Sequence, residues 1–126
     1  MSAVPVELKF TKEHEWIRSA EGSQVVRIGI TDFAQSALGD IVYIQLPKVG
    51  QKVTAGGVCG EVESTKSVSE IFAPVTGTVV AINSDLDSAP EVMNTDPYGA
   101  GWIAEIELDS DATDLLSAAD YESLIS

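Results

Sequence analysis

Over most of the chain, apolar and polar positions alternate with a period of two or gather into short apolar runs bounded by Gly, Pro, Asn and Asp. That pattern belongs to short strands that turn one face toward a core, so the fold is expected to be mainly β, a sandwich or flattened barrel. Strands are predicted over 6–10, 15–19, 25–30, 40–46, 57–64, 68–73, 77–82 and 102–107. Helical signals are fewer. Thr31 or Asp32 can cap a turn that runs to Leu38, with Gly39 as its stop. Ser88-Ala89-Pro90-Glu91 reads as a capping box with Pro in the first turn, which predicts a short helix to about Asn94. After Asp109 the period changes. Asp114, Leu115, Leu116, Ala119, Tyr121 and Leu124 suit one or two terminal helices, over about 111–126, that lay Leu and Tyr onto the sheet.

An internal echo runs through 49–81, where Val49-Gly50-Gln51-Lys52-Val53 and Val75-Thr76-Gly77-Thr78-Val79 each place a Gly turn before a β run. The two halves read as a quasi-twofold pair. Between them, the runs 58–64 and 68–73 must meet in a turn centred near Thr65-Lys66, which sets Lys66 on a hairpin tip. A tip held by two strands keeps its backbone fixed and its side chain open to other proteins. A lysine there suits acylation by a long arm, a modification that removes its positive charge.

Composition narrows the partners. With 126 residues, 44% hydrophobic and 21% charged, the chain has enough apolar surface for one folded domain over 1–126. Twenty acidic residues against 7 basic ones give a formal charge of −13, which repels phosphate backbones and anionic lipid heads, so neither nucleic acid nor membrane is an expected partner. A lone cysteine, Cys59, and a start Met1-Ser2-Ala3-Val4 without a basic or long apolar leader fit a reducing cytoplasm. His14 and Cys59 are the chain's only His and Cys. Without an orienting third group or an oxyanion turn they make a weak case for nucleophilic catalysis, and two ligands do not build a structural zinc site. Cys59 is expected in a strand core, and His14 packed near Trp16. Gly56-Gly57 and Gly60 lack the strand-to-helix spacing of a nucleotide loop and read as turn residues, while Trp102 is expected to pack at the end of a loop.

The segment Gly60-Glu61-Val62-Glu63-Ser64-Thr65-Lys66-Ser67-Val68-Ser69-Glu70 resembles the lipoylation motif of glycine cleavage H proteins, which have Glu-Ser-Val-Lys followed by a small residue and later an acidic one. It departs at Thr65, where Val is usual, although both residues are β-branched. The resemblance extends over nearly the whole chain. His14-Glu15-Trp16, Gly29-Ile30-Thr31-Asp32-Phe33-Ala34-Gln35, Leu38-Gly39-Asp40-Ile41-Val42, Leu46-Pro47-Lys48-Val49-Gly50, Ala73-Pro74-Val75-Thr76-Gly77 and Asp96-Pro97-Tyr98-Gly99-Ala100-Gly101-Trp102 are similar to H-protein signatures in the same order.

What the resemblance implies is a non-catalytic carrier of glycine catabolism with a lipoyl/biotinyl-type barrel-sandwich fold and lipoate attached to Lys66. Such a carrier takes an aminomethyl group from a pyridoxal-phosphate glycine decarboxylase (P protein) to a folate-dependent aminomethyltransferase (T protein). A dihydrolipoyl dehydrogenase (L protein) then reoxidises it, and lipoate-attaching enzymes load it. A cytoplasmic monomer is expected. The resemblance also implies that Glu15 and Glu70 line a cleft that shelters the loaded arm, where a carboxylate can pair with the aminomethyl ammonium. Two other roles stay open: a relay that passes lipoate or octanoate to other complexes, and a lipoyl or biotinyl domain of a different multienzyme complex. The Thr65 and Ser67 flanks, the His-Glu-Trp segment and the terminal helices weigh against the latter.

Overall fold

The computed structural model describes residues 4–19, 24–109 and 115–125. The chain orders as β1 (Lys9–Phe10), β2 (Glu15–Ser19), β3 (Val25–Ile30), α1 (Asp32–Leu38), β4 (Ile41–Gln45), β5 (Lys52–Val53), β6 (Val58–Ser64) and β7 (Val68–Phe72). It continues through β8 (Gly77–Ile82), α2 (Asp85–Ser88), α3 (Val92–Thr95), β9 (Ala104–Leu108) and α4 (Ala118–Ile125). Antiparallel pairing builds one sheet in the order β1-β2-β3-β9-β8-β5 and a second in the order β4-β6-β7. Neither sheet closes on itself, so the architecture is the sandwich and not the flattened barrel. Among the described residues no helix is long and apolar enough to cross a membrane.

Alternation explains the main core. Ile17, Val26, Ile28 and Ile106 of the larger sheet and Ile44, Val62 and Ile71 of the smaller one share a single buried cluster, each on the inward face of its strand. The larger sheet is covered on its other face as well. Leu8, Phe10, Trp16 and Tyr121 form a second buried cluster beneath α4, and Tyr121 stacks on Phe10 at 4.7 Å between ring centroids. β2 therefore buries Glu15, Trp16 and Ile17 in succession, since both of its faces meet a core.

The internal echo becomes a pairing. Lys52 sits opposite Thr78 and Val53 opposite Gly77, so the two similar segments run antiparallel against each other, and Gly50 N donates to Val79 O at 2.7 Å. Gly77 allows this approach, because a Cβ there would stand 2.1 Å from Glu107 O and 2.8 Å from Ile106 Cγ2. Backbone cannot yield as a side-chain tip can. Gly77→Ala is expected to cost about 2–3 kcal/mol through overpacking. Urea denaturation measures it, and an unchanged midpoint would contradict this account.

Several expectations are corrected in detail. The first strand shrinks from 6–10 to two residues, since Val6 is 86% exposed and only Lys9 and Phe10 find partners, Ile17 and Trp16. The last strand starts at Ala104, because Trp102 N closes a turn onto Gly99 O. The capping box does not form: Ser88 ends α2, where its hydroxyl donates to Asp85 O, and α3 begins at Val92 after Glu91 with no side-chain cap. α1 follows its signals closely, with Thr31 Oγ1 accepting from Ala34 N and Gly39 as C-cap. Of the expected terminal helices, α4 holds Ala119, Tyr121 and Leu124; Leu115 and Leu116 precede it outside any helix, Leu116 pairing with Phe10 as an extended bridge, and Asp114, like the rest of 110–114 and 126, lies outside the described residues.

Candidate functional site

β6 and β7 pair from Val58 and Phe72 up to Glu63 and Val68, and the chain reverses between them through Ser64-Thr65-Lys66-Ser67. Ser64 organises this turn. Its N–H donates to Ser67 O at 2.8 Å, and its buried hydroxyl accepts from Lys66 N at 3.2 Å and Ser67 N at 3.1 Å. The short hydroxyl thus replaces a backbone partner for both amides, as serine does in local turns. Thr65 N adds an anchor on Asp40 O at 3.0 Å, which ties the turn to the start of β4.

Lys66 itself is exposed. The single ion pair among the described residues joins Arg27 to Glu105, so the Lys66 amine is held by no carboxylate. Its methylenes lie over the end of α1. A Cβ on Gly39 would come within 3.1 Å of Lys66 Cε, and Gly39 also has φ +85°, the left-handed region that favours glycine. Gly39 therefore ends the helix and leaves room for the lysine stem. Asn94 fixes the same corner: its amide donates to Gln35 Oε1 (2.8 Å) and Gly39 O (2.9 Å), and its Oδ1 accepts from Ile41 N (2.9 Å).

One residue before Gly39 a cleft of about 220 Å³ opens. Phe33, Ala34, Ala37 and Leu38 of α1 give it an apolar wall, and Glu13, His14, Glu15, Ser69 and Glu70 supply the polar groups. Glu15 and Glu70 are thus brought to the same cleft, in different states. Glu70 is exposed on β7 opposite Glu61, and it also borders a second cavity of about 360 Å³. Glu15 is only 3% exposed. Thr11 Oγ1 donates to its Oε1 at 2.8 Å, and Phe72 N donates to its Oε2 at 3.2 Å, so the carboxyl bridges the two sheets. Burial outweighs these donors and pushes its pKa up to about 7.

His14 has φ +69°. Its ring packs on Phe33 at 4.7 Å and meets the edge of Tyr121 at 5.7 Å, with Nδ1 2.8 Å from the Tyr121 hydroxyl. Burial lowers its pKa, and the neighbouring Glu13 opposes that shift. Cys59 is buried in β6 as expected, its thiol pushed up to about 11 chiefly by burial, so it holds little of the thiolate a nucleophile needs. Trp102 packs in the second core beneath Arg27, whose guanidinium carbon lies 4.4 Å from the ring centroid.

Sequence reasoning missed Ser64, Gly39 and Tyr121 as parts of this site. The Ser two positions before the turn lysine was the one available signal, since the contacts of Gly39 and Tyr121 are made across elements distant in sequence.

A sandwich that holds an exposed amine on a braced turn, its stem over the end of the helix that walls an acid-lined cleft, has the form of a carrier domain. The family model described as glycine cleavage H-protein matches residues 8–126. The chain belongs to the glycine cleavage H-protein family. The glycine cleavage system H protein of Mycobacterium avium is 58% identical over 118 residues, covering 94% of this chain and 88% of that protein. The H protein of Mycobacteroides abscessus is 54% identical over 127 residues, covering 96% of each. In structure, the chain is similar to the crystallised glycine cleavage system H protein of Mycobacterium marinum, with a TM-score of 0.89 at 44% identity, covering 95% of this chain and 97% of that one.

Proposed function

We propose that Lys66 is the lipoyl attachment site and that the chain is a single, non-catalytic carrier domain over 1–126. It collects the aminomethyl group of glycine from the pyridoxal-phosphate decarboxylase and delivers it to the folate-dependent aminomethyltransferase. Dihydrolipoyl dehydrogenase then restores it. The observation that carries this reading is the unpaired, exposed amine on the β6–β7 turn, in a member of the H-protein family.

The residues fit the group. When attached, lipoate supplies a redox-active dithiolane whose sulfur bears the cargo. Lys66 provides the amide anchor, and the turn braced by Ser64 and Asp40 keeps that anchor outside the sheet. Phe33, Ala34, Ala37 and Leu38 offer an apolar wall for an aliphatic arm, while Glu15 and Glu70 offer carboxylates to a cationic cargo. Burial in such a cleft would keep water from an aminomethyl group prone to hydrolysis. The acidic surface suits basic docking faces on the partner enzymes, and the working form is taken to be a cytoplasmic monomer.

Intact-mass analysis before and after treatment with a lipoate ligase tests the assignment. One lipoyl increment is expected, on the peptide that contains Lys66. An increment on any other lysine would overturn it.

A further inference from the structure

Tyr121 stands far from the lysine in sequence, on the last described helix, yet its hydroxyl lies between two parts of the cleft. It is 2.8 Å from His14 Nδ1, in the segment that enters β2, and 2.7 Å from Thr31 Oγ1, the N-cap of α1. Thr31 is fully buried and accepts from Ala34 N at 3.2 Å. His14 lines the cleft directly, and α1 forms its apolar wall. Each hydroxyl in the series can both donate and accept, so the chain of bonds stays complete whichever ring nitrogen of His14 carries the proton. Burial pushes the Tyr121 hydroxyl up to about 12, so it remains a donor throughout the physiological range.

We infer that Tyr121 is a positioning residue for the arm cleft: its hydroxyl fixes the His14 ring against the capped start of α1, so the C-terminal helix sets the spacing between the two walls. Packing alone does not require that hydroxyl. The ring of Tyr121 stacks on Phe10, and a phenylalanine would keep that contact. His14 also has φ +69°, and its backbone is held on both sides, its N–H donating to Thr11 O at 3.1 Å and its carbonyl accepting from Thr31 N at 3.0 Å, so what the Tyr121 hydroxyl fixes is the ring. This inference rests on the cleft reading proposed above, but the relay itself can be observed without lipoate.

The test compares Tyr121→Phe with the unaltered protein by two readouts. His14 is the only histidine, so its ring-nitrogen NMR shifts are read without overlap in the unmodified chain. They are expected to move toward those of a free imidazole as the ring loses its fixed partner. In the aminomethyl-loaded form, the variant should hydrolyse about three- to tenfold faster, the scale of one buried hydrogen bond. Thr31→Ser, which keeps the hydroxyl, should retain the slow rate, and Thr31→Val should lose it. Unmoved His14 shifts in Tyr121→Phe would overturn the relay. Moved shifts with an unchanged lifetime would overturn the positioning role. If the loaded unaltered protein released its cargo as fast as free aminomethyl-lipoamide, the cleft reading would fail, and that outcome is visible before any variant is compared.

Discussion

Lys66→Ala is expected to fold as the unaltered chain does, take up no lipoyl mass and support no glycine–bicarbonate exchange in a reconstituted system. The side chain is exposed and pairs with no carboxylate among the described residues, and the turn is held by Ser64 and by the Asp40 carbonyl, so the substitution removes only the methylene contact over Gly39. A change of that kind is within about 0.5 kcal/mol in stability. The functional loss, by contrast, should be complete, because no other group can replace the amide anchor. Lys66→Arg sharpens the comparison: it keeps length and charge, but a guanidinium that stays protonated is not a nucleophile for acylation. The two variants should fail alike. Residual turnover in either would mean that the cargo travels without this tether.

Lys66 was legible because its placement depends on local pattern. Two β runs separated by a few residues force a reversal, and the alternation of β6 and β7 fixes where it falls. For the same reason β2, β3 and β8 lie where their short β runs put them, and α1 where Thr31 and Gly39 punctuate the chain. β5 was legible only through the internal echo: two residues, Lys52 and Val53, have no periodicity of their own, and their strand forms where β8 lies alongside. The capping box failed for the opposite reason, a valid local pattern overridden when the chain broke into two single-turn helices, with Leu86 and Met93 each buried in the core.

The cleft was only half legible. Glu15 stands two residues from the core Ile17 on the same strand, which places both on one face and argues for burial, yet a lone carboxylate in a strand reads first as solvated. What decides its state is β7, which brings the Phe72 amide to it from 57 positions away. His14 and Tyr121 are 107 residues apart, and no spacing rule joins them.

The burial of Glu15 has a consequence that can be measured as stability. Its carboxyl has an ordinary value of 4.5 and rises to about 7 in the fold, so the folded chain binds the proton more tightly than the unfolded one. A raised carboxyl pKa contributes stability that is present below 4.5 and is lost as pH rises through about 7. At pH 8 the ionised group therefore weighs against the fold by up to about 3 kcal/mol, taking roughly 1.4 kcal/mol per unit. Glu15→Gln removes the titration but keeps an acceptor for Phe72 N and a group that can donate to the Thr11 hydroxyl. In urea denaturation the variant should gain up to about 3 kcal/mol over the unaltered protein at about pH 8, and that gain should fade toward pH 5. A gain of equal size at both values would show that Glu15 does not titrate as its burial demands.

The same carboxylate explains why a costly acid suits this position. A cation brought into the cleft favours the ionised form and draws the Glu15 pKa back down, so the charge that destabilises the empty cleft would become a partner for an aminomethyl ammonium. Loading the arm should then raise the melting temperature of the unaltered protein at pH 8 but not that of Glu15→Gln, whose cargo should hydrolyse faster in spite of its more stable fold. A variant that was both more stable and equally protective would leave the buried acid without a role in the cleft.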